Sequence, residues 1–478
     1  MLLAPFLQRC QSRPDAPALI DNGRHLSYGQ LLGQAQTVAA ALQARGIQPG
    51  QPVAIHIERG IAATIAVFGT LLAGACYVPL DLKNPAVRLA FIVDDAGANT
   101  VLGTGDCPAW LDRNLWLNIE NLPAAQPAEI ELIDESLAAI LYTSGSTGQP
   151  RGVALSHQAI SAFSQWAADL LALNPDDRVA SSAPFFFDLS TFDLYGVLGR
   201  GASLHFVPPM LTLAPARLSA WLQENAISGW YTVPSLLAFL AYKGNLSETP
   251  LHNLRFLLFA GEVFPTPALM DLASALPQVA LYNFFGPTET NVCCHWPVSR
   301  EALSAEKPIP IGRPAAGCEL RIDEESGELW VCGPTLASGY WSQGRLRPFL
   351  NEHGWYTTGD RVSLINGEYH FHGRLGRMLK CSGYRVEPAE IEAAVSTLAG
   401  VKECAVIGIA DPTAGQRPAL ALVLEPETAI AEIRKALHSQ LPAYMQPSRF
   451  QVLPTLPRLA NGKLDYQRLQ MLLEPACT

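Results

Sequence analysis

The chain has few cysteines and few charges, and it has no long apolar run. Its ten cysteines are spread over 478 residues without a CxxC pair. We therefore expect neither a zinc site nor a disulfide scaffold, and reduced thiols are the simpler interpretation. No apolar run reaches the roughly 18 residues that a membrane helix needs. The N-terminal segment lacks the features of a secretory signal, so we expect a cytoplasmic protein.

Positive charge is also scarce. Lys and Arg total 33 against 43 Asp and Glu, which gives a net charge of −10. This balance argues against nucleic acid as the main partner, because neutralising phosphates requires an excess of basic residues. Apolar residues make up 49% of the chain, which excludes a disordered protein and provides for a large core.

The hydrophobic pattern changes along the chain. Residues 50–300 alternate short β-rich runs with amphipathic helical runs, which predicts βαβ units and largely parallel sheets. After about residue 305, short runs with period two predict an antiparallel β-module. The last hundred residues form an α+β block, and we place the boundary near 373–377.

The most informative stretch is LYTSGSTGQPRGV, residues 141–153. Glycines allow backbone N–H groups to turn towards an anion, and hydroxyls add further donors. The flanking runs AAILY and GVALS read as strands, which differs from the strand–loop–helix of a Walker A motif. We therefore predict a phosphate-binding loop whose candidate residues are Thr143, Ser144, Gly145, Ser146, Thr147, Gly148 and Arg151.

This loop resembles the signature of the adenylate-forming superfamily, which includes acyl-CoA synthetases, luciferases and the adenylation domains of nonribosomal peptide synthetases. Eight further stretches match that family's motifs in the expected order. They are LLAGACYVPLD (71–81), FFFDLSTFDLYG (185–196), NFFGPTET (283–290), GELWVCGPTLASGYW (327–341), GWYTTGDRV (354–362), GRLGRMLKCSGYRVEPAEIE (373–392), LPAYMQPSRF (441–450) and ANGKLD (460–465).

The resemblance implies an α/β fold in two domains. Residues 1–374 would form a large adenylate-forming domain of parallel α/β sheets plus a small β-module. Residues 375–478 would form a smaller, mobile α+β lid that carries the catalytic lysine. The hinge position of the family is occupied by Gly376, whose backbone freedom would permit rotation of the lid.

The reaction implied by the resemblance has two halves and uses ATP and Mg²⁺. A carboxylate attacks the α-phosphate of ATP to give an acyl-adenylate and pyrophosphate, and a thiol then attacks the adenylate. The first nucleophile is already an anion at neutral pH, so the site needs cations and N–H donors rather than a general base.

Three residues would perform this chemistry by resemblance. Lys463 would bridge the substrate carboxylate and the α-phosphate, Glu289 would hold Mg²⁺, and Thr288 would donate to the α-phosphate. Taken alone, an NGK lysine is usually an exposed turn residue, and a Thr–Glu pair is usually a helix cap. The ordered series of motifs favours the catalytic roles.

The remaining nucleotide contacts also follow from the motifs. Asp360 would accept from the ribose hydroxyls, and Phe285 would stack on adenine or serve only as a core ring. The other expected contacts are Asn283, Phe284, Gly286 and Arg374. The loop departs from the family at Gln149 and Arg151, where lysines are usual. Arg151 keeps the positive charge with a different geometry.

Asp188 is the clearest clue to the substrate. A carboxylate at this position resembles the residue that pairs with the α-ammonium of an amino acid, and a buried aspartate is costly without such a partner. The alternative is a helix-capping aspartate, and Asp193 is the less favoured partner for the ammonium. The other expected lining residues are Leu189, Phe192, Tyr231, Leu258, Ala260, Phe284, Val292 and Cys293.

This set has no second charge, so we expect a small to medium apolar side chain. It is similar to the set of stand-alone prolyl-AMP ligases, which load a carrier protein, although aliphatic residues usually stand where Phe192 and Phe284 do. L-Proline is therefore the first expectation, and L-alanine or another small aliphatic amino acid is the second.

We expect a free-standing enzyme that meets a separate phosphopantetheinylated carrier protein, with coenzyme A as the alternative acceptor. Two other functions remain open. An acyl- or aryl-CoA ligase would have no use for Asp188, and a silent nucleotide- or carrier-binding relative would have no need of Lys463, Glu289 and Asp360.

Replacing Lys463 with Ala should abolish adenylate formation and leave the fold intact, because one cation near the reacting phosphate is lost. ATP–pyrophosphate exchange and circular dichroism measure the two effects. An exchange rate near that of the unmodified protein would show that Lys463 lacks this role.

Overall fold

The fold was established from a computed structural model, which describes residues 2–145, 148–411, 415–459 and 464–474. The α-helices are α1 (Ala4–Ser12), α2 (Tyr28–Ala44), α3 (Ile61–Leu72), α4 (Ala86–Ala96), α5 (His157–Leu170), α6 (Pro215–Glu224), α7 (Pro234–Lys243), α8 (Thr266–Ala275), α9 (Pro388–Ser396), α10 (Ile430–Gln440) and α11 (Tyr466–Leu473). Short 3₁₀ helices span Pro209–Leu213, Arg300–Ala302 and Ala443–Met445, and a π-helical turn spans Phe192–Val197.

The strands are two to eleven residues long. They are β1 (Pro17–Asp21), β2 (Arg24–Ser27), β3 (Pro52–His56), β4 (Cys76–Pro79), β5 (Val101–Gly103), β6 (Trp116–Asn118), β7 (Leu137–Thr143), β8 (Arg151–Ser156), β9 (Arg178–Ser181), β10 (Ser203–Phe206), β11 (Gly229–Thr232), β12 (Phe256–Phe259), β13 (Ala280–Phe285), β14 (Cys294–Pro297), β15 (Arg313–Pro314), β16 (Glu319–Ile322), β17 (Glu328–Cys332), β18 (Gly339–Ser342), β19 (Arg345–Arg347), β20 (Tyr356–Ile365), β21 (Glu368–Arg374), β22 (Leu379–Cys381), β23 (Tyr384–Val386), β24 (Val401–Asp411), β25 (Gly415–Leu424) and β26 (Arg449–Val452).

The chain divides into two compact units. The first comprises Met1–Asp81, Val93–Leu141 and Gly152–Gly373, and the second comprises Leu82–Ile92, Tyr142–Arg151 and Arg374–Thr478. The second unit therefore includes the segment of the predicted phosphate loop as well as the C-terminal hundred residues. In it β22 to β26 form one sheet, and α9, α10 and α11 accompany that sheet in the chain.

Two α/β sheets and a small antiparallel sheet build the first unit. The nine-stranded sheet has the order β15-β14-β13-β12-β11-β9-β10-β1-β2, and its strands from β13 to β1 are parallel. The eight-stranded sheet has the order β19-β18-β8-β7-β4-β3-β5-β6. The small sheet has the order β16-β17-β20-β21, with antiparallel pairing of β17 to β16 and β20. The predicted α/β architecture with its antiparallel β-module is confirmed.

Local sequence explains where individual elements begin and which faces they bury. The α2 helix begins at a capping box, in which the Gln30 N–H donates to the Ser27 hydroxyl and the Ser27 N–H donates to the Gln30 side chain. The β12 strand, FLLF, is buried on both faces, as parallel central strands are. The β17 strand alternates buried and half-buried residues, which suits its antiparallel sheet.

The order of strands around β9 creates a switch point. From β9 the chain passes to β10 on one side, and then to β11 on the other side of β9. In open parallel sheets, ligands bind in the crevice at the carboxyl ends of the strands where the connections diverge in this way. The segment that follows β9 contains Asp188 and the π-helical turn, so the predicted amino-acid residues lie at this point of the sheet.

Close packing of α2 against α3 depends on Gly69. A Cβ atom at Gly69 would lie 2.6 Å from Cβ of Val38 and 2.9 Å from the Ala35 carbonyl oxygen. Gly33, on the exposed face of α2, has no atom within 4 Å of an added Cβ. The two glycines therefore make a matched pair for testing this contact.

We expect Gly69→Ala to lower the free energy of unfolding by about 1–3 kcal/mol, because the two helices must separate to admit the methyl group. Gly33→Ala should raise it by about 0.5–1 kcal/mol through helix propensity. Thermal unfolding measures both variants. Equal melting temperatures for the two would contradict this account of the packing.

Candidate active site

A layer of aromatic rings lies at the switch point of the nine-stranded sheet. The ring of Tyr231 on β11 packs edge-on against Phe192, with centroids 5.8 Å apart, and against Phe284 on β13, with centroids 5.7 Å apart. All three side chains are buried. The rings come from three separate segments because β11 and β13 flank β12 in the sheet, and the π-helical turn follows β9.

The predicted lining residues are largely brought together. One apolar cluster of the first unit contains seven of the predicted residues, namely Leu189, Phe192, Tyr231, Leu258, Ala260, Phe284 and Val292. Cys293 packs instead in a different cluster, with Cys294 and Cys318 among its members. Its thiol points towards the Phe285 carbonyl, 3.5 Å away.

Asp188 is half-buried in the segment between β9 and the π-helical turn. Its backbone carbonyl accepts from both the N–H and the hydroxyl of Thr191, at 2.9 and 2.6 Å, which starts the following helical segment. Its carboxylate is close enough to Tyr231 to contribute to raising the pKa of that phenol well above its ordinary value, although burial is the larger cause. The carboxylate therefore lies near the aromatic layer.

Glu289, in the GPTET segment, is fully buried. The hydroxyl of Tyr340, on β18, donates to Oε1 of Glu289 at 2.9 Å, and the Ala337 N–H donates to the Glu289 backbone carbonyl at 2.8 Å. Thr288 is half-buried beside it. Gly286 allows this turn, because an added Cβ would lie 2.1 Å from the Asn291 carbonyl oxygen.

The other predicted nucleotide residues of the first unit lie on β13 and β20. Asp360 on β20 is buried, and its N–H donates to the Thr358 hydroxyl at 3.0 Å. Asn283 is buried and donates to the Pro310 carbonyl at 2.8 Å. Phe285 is half-buried, and its ring packs against Phe371 with centroids 5.8 Å apart.

The second unit contains the loop between β7 and β8, and the two flanking strands are confirmed. The loop turns tightly: the Gly148 N–H donates to the Gly145 carbonyl at 3.1 Å, and Gly148 has a φ of +85°. A Cβ at Gly145 would lie 2.0 Å from the Gln149 carbonyl oxygen. The loop therefore needs glycine at both positions.

In the second unit, one residue that we predict to donate a hydrogen bond to phosphate already has another partner. The Ser144 hydroxyl donates to the Arg385 carbonyl at 2.7 Å. Arg88, at the start of α4, forms a buried ion pair with Glu390 on α9. Thr143 ends β7 and Arg151 begins β8.

Three predicted residues, Ser146, Thr147 and Lys463, lie outside the described residues. Arg374 ends β21, and Gly376 follows it at an exposed position. An added Cβ at Gly376 would meet no atom within 4 Å, and its φ is outside the left-handed region. The conformation described here would therefore accept a side chain, and the hinge role of Gly376 stays a prediction.

Comparison with known proteins identifies the family. The model of the AMP-binding enzyme family matches residues 6–341, and the model of the AMP-binding enzyme C-terminal domain matches residues 390–463. The chain belongs to the AMP-binding enzymes. These enzymes include the adenylate-forming relatives that the motif order indicated, and the resemblance is confirmed.

Curated relatives extend over nearly the whole chain. This AMP-binding enzyme is 36% identical to an L-proline–[L-prolyl-carrier protein] ligase of Streptomyces coelicolor, over 94% of this chain and 92% of that protein. It is 35% identical to a protein of the same name from Pseudomonas fluorescens, over 95% of each. The solved structure of holo-PA1221, an NRPS protein containing adenylation and PCP domains, matches with a TM-score of 0.84 and 26% identity, over 99% of this chain and 84% of that one.

The structure adds two residues to the site of this AMP-binding enzyme that the sequence analysis missed. Trp166 on α5 packs against Phe284, with centroids 5.4 Å apart, and edge-on against His295, at 5.0 Å. Its spacing of three from the buried Phe163 placed it on the same face of a helix, which was the available signal. Tyr340 lies in a recognised motif, but its hydrogen bond to Glu289 could not be read from the motif.

Among the described residues, none of the helices combines the length and the apolar character needed to cross a bilayer. The expectation of a cytoplasmic protein stays a prediction.

Tyr340→Phe should lower the free energy of unfolding by about 1–3 kcal/mol, because it removes a donor from the buried Glu289 carboxylate. Tyr369→Phe is the matched control, since the Tyr369 hydroxyl makes only a long 3.3 Å bond to the Leu320 carbonyl. Denaturant unfolding of both variants tests the contact. A Tyr340 variant no less stable than the Tyr369 variant would contradict it.

Proposed function

We propose that this enzyme activates L-proline with ATP to L-prolyl-AMP and transfers the prolyl group to the phosphopantetheine thiol of a separate carrier protein. The observation that carries the proposal is the half-buried carboxylate of Asp188 near Tyr231, which belongs to a cluster of apolar and aromatic side chains. The names of the two bacterial relatives, which align over nearly their full lengths, support the same substrate and acceptor.

The substrate assignment rests on shape and charge. Asp188 would pair with the α-ammonium of the amino acid, which an aryl or fatty acid lacks. The rings of Phe192, Tyr231 and Phe284, which pack edge-on against one another, would line a pocket that suits a small, flat, apolar side chain and would provide no partner for a charged one. A pyrrolidine ring meets both requirements.

The first half-reaction needs charge stabilisation rather than a base. The proline carboxylate oxygen bonds to the α-phosphorus while the bond from that phosphorus to pyrophosphate breaks. The loop of residues 143–151 would contact the phosphates through its backbone N–H groups, its hydroxyls and Arg151. The Ser144 hydroxyl must leave the Arg385 carbonyl before it can donate to a phosphate.

The rest of the nucleotide would be bound as the motifs imply. Asp360 would accept from the ribose hydroxyls, and Phe285 would stack on adenine, with Asn283, Phe284, Gly286 and Arg374 as further contacts. Thr288 would donate to the α-phosphate. Lys463 would bridge the two reacting anions and so lower their repulsion.

The residues present fit a magnesium ion. No cluster of three or more His, Cys, Asp or Glu side chains able to hold a metal occurs in the described part of the chain. Mg²⁺ bound with nucleotides is usually held by one or two carboxylates and the phosphates themselves. Glu289 would be that carboxylate, with Tyr340 orienting it. The ion would neutralise phosphate charge when bound.

The second half-reaction transfers the prolyl group. The thiol sulfur of the carrier bonds to the carbonyl carbon of prolyl-AMP, AMP leaves with the bonding electrons, and the thiol proton passes to solvent. We propose that residues 375–478 act as a mobile lid on the core of residues 1–374, with rotation at Gly376 between the two half-reactions.

Amino-acid-dependent ATP–pyrophosphate exchange over the twenty standard amino acids should rank L-proline first. Cyclopentanecarboxylate is the matched control, since it keeps the ring and the carboxylate and lacks the amine. The unmodified enzyme should prefer proline over this acid by at least about 100-fold, as expected for a lost partner of a buried charge. Asp188→Ala should reduce that preference below tenfold, with KM for ATP unchanged.

Three results would contradict the proposal. A preference for a charged amino acid would overturn the account of the aromatic layer, and first rank for L-alanine would replace proline. Efficient activation of cyclopentanecarboxylate by the unmodified enzyme would instead indicate an acyl- or aryl-CoA ligase.

A further inference from the structure

Asp193 is a buried carboxyl group that the reaction does not use. It lies on the π-helical turn, next in the chain to Phe192, and its exposure is 0%. Within the described part of the chain, neither of its carboxyl oxygens has a hydrogen-bond partner of good geometry. A charged carboxylate in such surroundings would be strongly destabilised.

Arg59, the positive charge that acts on Asp193, is hydrogen-bonded to backbone carbonyls. The two Nη atoms of Arg59, in the loop between β3 and α3, donate to the backbone carbonyls of Ser181 and Val207. Arg59 therefore caps the carboxyl ends of β9 and β10 at the switch point. It attracts Asp193 only from a distance.

Burial raises the pKa of Asp193 to about 8, against the smaller lowering effects of the Ser181 hydroxyl and of Arg59. Burial therefore favours the uncharged acid over the carboxylate at this position. In that form its O–H can donate, and Ser181 is the hydroxyl beside it.

This carboxyl is close to the aromatic layer. Tyr231 on β11 is in register with Ser181 on β9. The pKa of the Tyr231 phenol responds to both Asp188 and Asp193. Asp193 therefore adjoins two of the rings of the proposed proline pocket, one through the chain and one through space.

We propose that Asp193 is a positioning residue of the amino-acid pocket, which as a neutral acid secures the π-helical turn to the end of β9 and so orients Phe192 and Tyr231. Its ionisation would bring water or Arg59 towards the carboxylate and displace the rings. The inference rests on the proposed function, since it assigns the pocket to the amino acid.

The buried histidines and tyrosines on the neighbouring elements keep one charge state between pH 6 and 9. Burial lowers the pKa of His205 on β10 to about 3 and that of His157 on α5 to about 4, and both stay neutral. Burial raises the pKa values of Tyr195 and Tyr231 well above 10. Charged groups on these elements include Arg59, Asp188, the exposed Arg178 at the start of β9, and Asp169, which pairs with Arg200. Asp21 and Glu58 also act on Arg59.

The proton on Asp193 also links stability to pH. The unfolded chain would release it near pH 4, whereas the native protein holds it to about pH 8. The native state thus binds the additional proton in this window, and its stabilising effect is lost as the pH rises from about 4 to 8. Asp193→Asn has no such proton.

The first experiment needs no substrate. We expect the melting temperature of the unmodified protein, relative to that of the Asp193→Asn variant, to fall progressively from pH 5 to pH 8. Asp177→Asn is the matched control, because Asp177 is also buried but accepts from Arg255 at 2.8 Å. The control should lower the melting temperature without reproducing this pH trend. If the difference in melting temperature between the unmodified protein and Asp193→Asn were constant from pH 5 to pH 8, the claim that Asp193 is a neutral acid would be overturned.

The second experiment separates positioning from stability. For the unmodified enzyme, KM for L-proline should rise at least fivefold from pH 7 to pH 9, while KM for ATP stays within twofold. Asp193→Asn should raise KM for proline two- to threefold at pH 7 and abolish most of the additional rise. Asp193→Ala should raise KM for proline about tenfold at pH 7 with kcat little changed.

Comparison of variants at the same pH cancels the ionisation of the substrate itself. Superimposable pH profiles for the unmodified enzyme and Asp193→Asn would overturn the proposal, as would an unchanged KM in Asp193→Ala. If the exchange panel ranks another amino acid first, the same profiles are measured with that amino acid. The proline assignment would then fail while the role of Asp193 is still tested.

Discussion

The proposed chemistry depends on one electrostatic interaction, the pairing of a carboxylate with the ammonium group of the substrate. The Asp188 carboxylate lies near Tyr231, which belongs to a cluster of apolar and aromatic side chains. An amino acid supplies the cation as its ammonium group, and the same molecule then presents its own carboxylate for reaction. Selection of the substrate and orientation of the nucleophile therefore have one physical cause.

Three aspartates near β9 show how strongly the surroundings control the charge of the same side chain. Asp177 is buried with Arg255 and Ser228 as partners. Asp188 is half-buried, in the segment that follows β9. Asp193 is sealed without a hydrogen-bond partner of good geometry among the described residues, and burial raises its pKa. Around one strand, the chain thus places a structural ion pair, a carboxylate that we propose binds the substrate and a carboxyl that we propose is a neutral acid.

Much of the fold was predictable because its signals are local. Apolar runs such as FLLF and alternating runs such as ELWVC indicated parallel and antiparallel strands, and both were confirmed. The lining residues assembled because adjacent parallel strands bring their carboxyl ends to one edge. Cys293 packs in a different cluster from its neighbour Val292, which residue identity along the chain does not reveal. The π-helical turn was expected as ordinary helix, since nothing in its residues marks the wider turn.

Residue identities and their spacing along the chain were enough to indicate the enzyme family and the order of its motifs. They also indicated which candidate site residues are acidic, basic, hydroxylic or aromatic. Contacts of the folded chain were needed to show that Tyr340 donates to Glu289 and that Trp166 joins the aromatic layer. They also show that the Asp193 carboxyl is buried with no hydrogen-bond partner of good geometry among the described residues. Hydrogen bonds and burial arise between segments that are distant in sequence, and the free energy of a charge depends on the groups and the water that surround it.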